Sequence, residues 1–192
     1  MLAVSLNARR PAAAAGGSGG RFAKEIELVP PTASPGGWYD FEVNLYDELR
    51  SVLGALDHAS VDHALVGGLA VAVWGAPRAT KDIDLLVRGE SLPAAMAAVR
   101  ACGFTLEALP MEFKDGTTVQ RVSKVDKAGN LMVVDFMLVD RNLETAWAGR
   151  VSLPFADRKV VVVSREALIA MKALAARPQD VADIQNLKDG DR

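Results

Sequence analysis

The chain has 192 residues, 50% of them hydrophobic and 24% charged, with a formal net charge of −2. This composition fits a globular domain with a core of ordinary size and excludes a disordered, collagen-like or disulfide-stapled chain. Near-neutral charge without a long basic run excludes a general electrostatic pull toward nucleic acid, so a nucleic-acid substrate would have to be held by a local patch.

Residues 1–37 are rich in Ala, Gly, Ser and Pro and read as a disordered N-terminal tail, because such a segment buries too little apolar surface to offset its ordering entropy. Within it, Phe22 to Leu28 is a candidate edge strand. Leu2 to Leu6 followed by Arg9 and Arg10 reverses the order of a secretory signal, and no apolar run approaches bilayer length. The expectation is a cytoplasmic protein with no membrane partner and one folded domain over 38–192.

Trp38 to Leu56 carries Phe41, Leu45, Leu49, Val52, Leu53 and Leu56 at helical spacing, which predicts an amphipathic helix on a sheet. Its aromatic residues Trp38, Tyr39, Phe41 and Tyr46 read as core rather than as a base-stacking platform. His58 and His63 have no partner at metal-ligand spacing and read as structural or surface. Ala64 to Val87 then gives a short strand, Gly67-Gly68, an apolar helix from Leu69 to Trp74, a basic turn from Arg78 to Lys81, and a strand with Asp82 and Asp84. Arg88, just past that strand, reads as surface.

Ser91 is a candidate N-cap for a helix to Ala101, closed by Gly103. Cys102, the only cysteine, reads as a small core residue; it rules out an intramolecular disulfide and points to a reducing compartment. Phe104 to Leu109 is a candidate strand. Thr117 to Val125 and Leu131 to Val139 are β-rich runs joined by a hairpin signal at residues 126–130. A short helix around Trp147 and a strand from Lys159 to Val163 follow. Ser164 caps a helix through Ala176, and Pro178 opens a last helix ending near Leu187. The fold class is α/β (α+β): a mixed sheet of about five or six strands with about five helices, mainly on one face.

The chemistry gathers around two places. Asp82 and Asp84, at i and i+2 on a strand, share one face with anchor points about 6.6 Å apart. Charges at that spacing repel by about 2.5 kcal/mol at an effective dielectric of about 20, which a cation between them would relieve. Asp135 interrupts the apolar run Leu131 to Val139, and a buried carboxylate needs a partner. Either it joins Asp82 and Asp84 as a third metal ligand, or it lies at a strand end paired with an Arg or Lys. Gly67 and Gly68 either let the backbone approach a phosphate, with the following helix offering its N–H groups, or form a plain tight turn. Arg78, Thr80 and Lys81 are solvated turn residues or phosphate contacts beside the Asp pair. Together these features imply a nucleotide site held through Mg²⁺ or Mn²⁺.

Gly67-Gly68, thirteen intervening residues and Asp82-Ile-Asp84 resemble the signature of the DNA-polymerase-β-like nucleotidyltransferase superfamily. The Arg-x-Thr-x-Asp-x-Asp form is similar to the AbiEii-type nucleotidyltransferases, known as toxins of toxin–antitoxin systems. Lys172, Arg177, Asp180 and Asp183 resemble that group's Lys-x4-Arg-x2-Asp-x2-Asp element. The resemblance covers roughly residues 60 to 187. It implies an NTP substrate, transfer of a nucleoside monophosphate to an acceptor hydroxyl on tRNA or protein, and an antitoxin partner.

By that resemblance Asp82, Asp84 and Asp135 would hold the metals, Gly67, Gly68 and Lys172 the triphosphate, and Asp180 and Asp183 would position Lys172 or Arg177. Read without the family, Lys172 on an amphipathic helix is a snorkelling surface residue. The chain also ends soon after Asp183, whereas larger AbiEii-like toxins carry a substantial C-terminal region, so the expectation is that the substrate-recognition part is either missing or supplied by a partner. Two other readings stay open. One is an aminoglycoside-type adenylyltransferase, which an acidic pocket beyond Asp135 would favour. The other is a catalytically degenerate, partner-binding member.

Overall fold

The computed structural model describes residues 39–126 and 129–189, so the expected tail and its Phe22–Leu28 strand lie outside the described residues. In chain order the elements are α1 (Tyr39–His58), β1 (His63–Leu65), α2 (Gly67–Val73), β2 (Asp82–Val87), a 3-10 turn (Gly89–Ser91) and α3 (Leu92–Ala101). There follow β3 (Leu106–Glu107), β4 (Met111–Glu112), β5 (Thr118–Val125), β6 (Leu131–Leu138), α4 (Glu144–Ala148), β7 (Val151–Phe155), β8 (Arg158–Val162), α5 (Arg165–Ala175) and α6 (Pro178–Asp189). The strands form a single mixed sheet in the order β3-β5-β6-β2-β1-β8-β7, with β4 also pairing β5. The β2–β6 and β1–β8 pairs are parallel and the other pairs antiparallel.

Strand alternation gives the sheet two unlike faces. Ile83 and Leu85 of β2 lie beside Val134 and Phe136 of β6, and Val122 of β5 lies beside Val134. All five are sealed from solvent and form the centre of the core. Lys124 shows which helices cover this face. From β5 its ammonium donates to Glu48 of α1 at 2.6 Å and to the Cys102 carbonyl just past α3 at 2.9 Å, while lying 4.7 Å from the Phe104 ring centre. The opposite face carries Asp82 and Asp84, Asp135, and Arg121 on successive strands, so the polar residues of the site share the side away from α1 and α3.

The described residues hold eight strands and six α-helices, more than the sequence suggested. The Phe104–Leu109 run contributes only Leu106–Glu107, as β3, and one strand not anticipated is the two-residue piece β4. The other is β7, whose Pro154 argues against a strand. It is an edge strand bonded only to β8, where a missing N–H is tolerated. Ser91 does not cap α3 with its side chain. It lies at the end of the 3-10 turn with helical backbone angles, and Pro93 sits in the first turn instead. Ser164 does cap α5, accepting from the Ala167 N–H at 3.1 Å.

Among the aromatic residues placed in the core, Tyr46 is 37% exposed and leans on Phe155, with ring centres 5.6 Å apart; Trp38 and the side chains of Tyr39 and Phe41 lie outside the described residues. No helix of the described residues is long and apolar enough to cross a membrane.

Phe136 packs in the core one residue from Asp135, so it reports on the central β2–β6 pair. Phe136→Ala is expected to cost about 3–5 kcal/mol, read as a lower urea midpoint with an unchanged slope.

Candidate active site

Asp84 and Asp135 are direct neighbours across the parallel β2–β6 pair, and Asp82 stands two residues earlier on the same face. Adjacent strands lie about 4.8 Å apart, so three carboxylates share a patch one pleat wide. Burial, then the charge of Asp135, then that of Asp82, push the Asp84 carboxyl up to about 6; Lys172 and Arg177 offset only part of this. Burial and Asp135 also raise the Asp82 carboxyl, against the fields of Arg121 and Lys81. The ionised forms of Asp82 and Asp84 are therefore disfavoured, first by burial and then by mutual repulsion within the patch.

Asp135 lies mid-strand, and it also has a cationic partner. Arg121, directly opposite on β5, grips it with both arms of the guanidinium: Nε to Oδ1 at 2.8 Å and Nη2 to Oδ2 at 2.7 Å. The two readings offered by the sequence thus coexist, a third carboxylate and an ion pair. Hydrogen bonding to Asp135, followed by the fields of Asp135, Asp82 and Asp84, raises the Arg121 pKa despite partial burial, so the group stays fully charged.

The two glycines fit this patch closely. Gly67 has φ +67°, and a Cβ there would fall 1.9 Å from Asp84 Oδ2. A Cβ on Gly68 would meet Thr80 Oγ1 at 2.6 Å. Both open the first turn of α2 rather than preceding it, and the first N–H groups of a helix have no carbonyl partner within it. The requirement for glycine thus comes first from the approach of Asp84 and Thr80.

Lys172 of α5 is buried, not snorkelling. Its Nζ donates to Asp180 Oδ1 at 3.2 Å and pairs with Asp183 Oδ2 at 2.6 Å, leaving one N–H of three. Asp180 also accepts from Arg177 Nε at 2.7 Å, and Asp183 accepts from Arg78 through Nε at 2.7 Å and Nη2 at 3.0 Å. Burial alone would raise both carboxyls, but the bonds from Arg177 and Lys172 to Asp180, and from Arg78 and Lys172 to Asp183, hold them below their usual range. Arg78 is therefore neither solvated nor free: it ties the loop before β2 to α6. Lys81 is exposed and Thr80 half-buried against Gly68.

The remaining candidates lie apart from this chemistry. His63 is buried with Nδ1 2.9 Å from the Val61 carbonyl, and His58 is exposed. Cys102 is half-buried against the core. Arg88 is ion-paired twice with Glu144 at 2.7 Å and stacks over Trp147.

Sequence reading missed Arg121. The 126–130 hairpin loop pairs Val125 with Leu131, and counting back from there sets Arg121 opposite Asp135. The register was countable once both strands were recognised.

Residues 52–190 match the family described as the nucleotidyl transferase AbiEii toxin of type IV toxin–antitoxin systems. The chain belongs to the AbiEii nucleotidyltransferase family. It is thus an enzyme of the nucleotidyltransferase class. Among curated proteins none matches it by sequence.

Solved structures agree on the fold. A Thermotoga maritima protein (TM1012) described as a nucleotidyltransferase superposes with a TM-score of 0.56 at 15% identity, over 78% of this chain and 95% of that one. The lincosamide antibiotic adenylyltransferase LnuA gives 0.52 at 18% identity, over 74% and 95%. ANT(2'')-Ia, in complex with adenylyl-2''-tobramycin, gives 0.54 at 16% identity, over 76% and 87%. At such identities the likeness establishes the nucleotidyltransferase fold.

The carboxylate patch suits a hard divalent cation: its donors are all carboxylate oxygens, and they repel one another. Among the described residues no three His, Cys, Asp or Glu side chains are placed so as to hold a metal ion together; Arg121 engages both oxygens of Asp135.

Two predictions follow from this geometry. The Asp84 carboxyl is raised from 3.8 to about 6, so it binds its proton more tightly in the folded chain, and stability falls as pH rises through that window. Without divalent cations at about pH 8, Asp84→Asn should therefore raise stability by about 1–3 kcal/mol, seen as a higher Tm, with the gain vanishing toward about pH 4. Gly67→Ala should cost about 1–3 kcal/mol through its positive φ and the collision with Asp84, read by thermal melting.

Proposed function

We propose that the protein transfers a nucleoside monophosphate from an NTP to an acceptor hydroxyl in a reaction that depends on Mg²⁺ or Mn²⁺. The acceptor oxygen forms a bond to the α-phosphorus, the bond from that phosphorus to the bridging oxygen breaks, pyrophosphate leaves, and the acceptor loses its proton. The observation that carries this reading is the Asp84–Asp135 pairing beside Asp82, where burial and mutual repulsion disfavour the ionised forms of Asp82 and Asp84. When bound, a divalent cation would supply charge neutralisation at the phosphates and a lowered pKa at the attacking hydroxyl.

Asp82 and Asp84 would hold the cation, with Asp135 completing the set on the acceptor side and placed to help draw the proton from the acceptor. The open N–H groups at Gly67 and Gly68 and the remaining N–H of Lys172 would orient the triphosphate. Arg78 would serve by holding Asp183, and Asp183 by holding Lys172. Thr80 and Lys81 lie beside β2, and the exposed Lys81 is the freer of the two to meet a phosphate.

The family description supports a toxin role and an antitoxin partner; on this reading the protein acts in the cytoplasm on an acceptor hydroxyl of tRNA or protein. The next residue beyond Asp135 on this face is the cation Arg121 rather than a further carboxylate, which disfavours a cationic antibiotic as acceptor.

The test is transfer from α-labelled NTPs, each in turn with Mg²⁺, onto total RNA and onto cell protein. Label on tRNA or on protein, lost with EDTA and in Asp82→Asn or Asp84→Asn, is the expected outcome and identifies the acceptor. Full activity in Asp84→Asn would overturn the proposal. Label found only on small aminoglycoside or lincosamide acceptors would replace the macromolecular acceptor with an antibiotic.

A further inference from the structure

Arg121 is the residue in this site whose role neither the family signature nor the reaction chemistry supplies. It stands at the end of a row running across three adjacent strands, Asp84 on β2, Asp135 on β6 and Arg121 on β5, all on one face. The contact is a fork-to-fork pair: both Asp135 oxygens are engaged, at 2.8 and 2.7 Å, and the Asp135 side chain is only 9% exposed. The Arg121 side chain is 40% exposed, so it can swing outward without disturbing the core. Planar, bidentate pairs of this kind are the strong ones; this one takes one lone-pair position on each Asp135 oxygen and sets a fixed positive charge beside the carboxylate, where it repels a second cation.

From this geometry we infer that Arg121 is the resident counter-ion of the carboxylate patch and holds Asp135 closed against a divalent cation in the free enzyme. This inference rests on the metal-dependent reading above. Among the described residues no guanidinium grips Asp82 or Asp84 in this way, whereas both oxygens of Asp135 are engaged. The free protein therefore takes one divalent cation readily at Asp82 and Asp84. A second ion that needs Asp135 must displace the guanidinium. Arg121 thereby acts as a positioning residue that delays completion of the metal set until another anion, such as a bound triphosphate, offers its charge an alternative partner.

The experiment is a Mn²⁺ titration without nucleotide, followed by calorimetry and by the electron paramagnetic resonance of free Mn²⁺. It compares the unaltered protein with Arg121→Gln, Arg121→Lys, Asp135→Asn and the Arg121→Gln/Asp135→Asn pair. The unaltered protein should bind one Mn²⁺ with a clearly weaker second. Arg121→Gln should tighten the second about tenfold or more, equivalent to ~1.4 kcal/mol. Arg121→Lys, a point charge without the fork, should fall between the two. Asp135→Asn should lose the second ion, and adding Arg121→Gln to it should change nothing.

Arg121→Gln leaves Asp135 without its partner and can lower the Tm; Arg121→Lys keeps the charge and supplies the same comparison in a protein that retains the pair. Identical Mn²⁺ isotherms for the unaltered protein and the Arg121 variants would overturn the inference while leaving the metal-dependent reading intact. No Mn²⁺ binding in any of them would overturn both.

Discussion

The in-register parallel pairing of β2 with β6 is the constraint on which the rest of the site depends. It brings Asp84 beside Asp135 with Asp82 one pleat away, an arrangement that electrostatic repulsion opposes. What compels it lies on the reverse face, where the same register puts Ile83 against Val134 and Leu85 against Phe136, all fully buried. A strand that slipped by one residue would turn these apolar side chains toward the open face and the carboxylates into the core. Hydrophobic burial on one side of the sheet thus holds like charges together on the other.

Two cationic groups manage the consequences differently. Arg121 binds the acidic patch directly and neutralises one of its members. Lys172 stands off, held by Asp180 and Asp183, which are themselves held by Arg177 and Arg78. Two carboxylates around one ammonium fix it in place without leaving it unpaired, which is how a lysine tolerates near-complete burial. Carboxylates on the sheet accumulate negative charge, and the helical pair α5–α6 supplies a rigidly placed positive charge facing it.

Much of this was legible in the sequence because it is local. The Asp82/Asp84 spacing, the strand pair flanking residues 126–130 and the Ser164 cap each follow from a few adjacent residues, and the structure places them as the spacing implies; the two glycines open α2 instead of preceding it. The family likeness added the Lys172–Asp180–Asp183 grouping, which no periodicity in α5 and α6 discloses. What escaped was long-range or balanced by context. The burial of Lys172 depends on two aspartates from another helix. Arg78 read as either a solvated turn residue or a phosphate contact, because its partner, Asp183, lies 105 positions away. β7 was hidden by Pro154, whose cost disappears only once the strand is known to be at the edge. Arg121 required counting a register before either strand's pairing was known.

The span of the Arg78–Asp183 contact also sets an order of assembly. Asp82, Asp84 and Asp135 leave the ribosome well before α6 (Pro178–Asp189), which completes the support of Lys172 and the anchor of the loop ahead of β2. A polypeptide interrupted before α6 would carry every acidic residue of the patch and still lack a held lysine. Until α6 is present, the acidic residues of the patch have no held lysine facing them, so the opposing charges of the site come together only after both have been made.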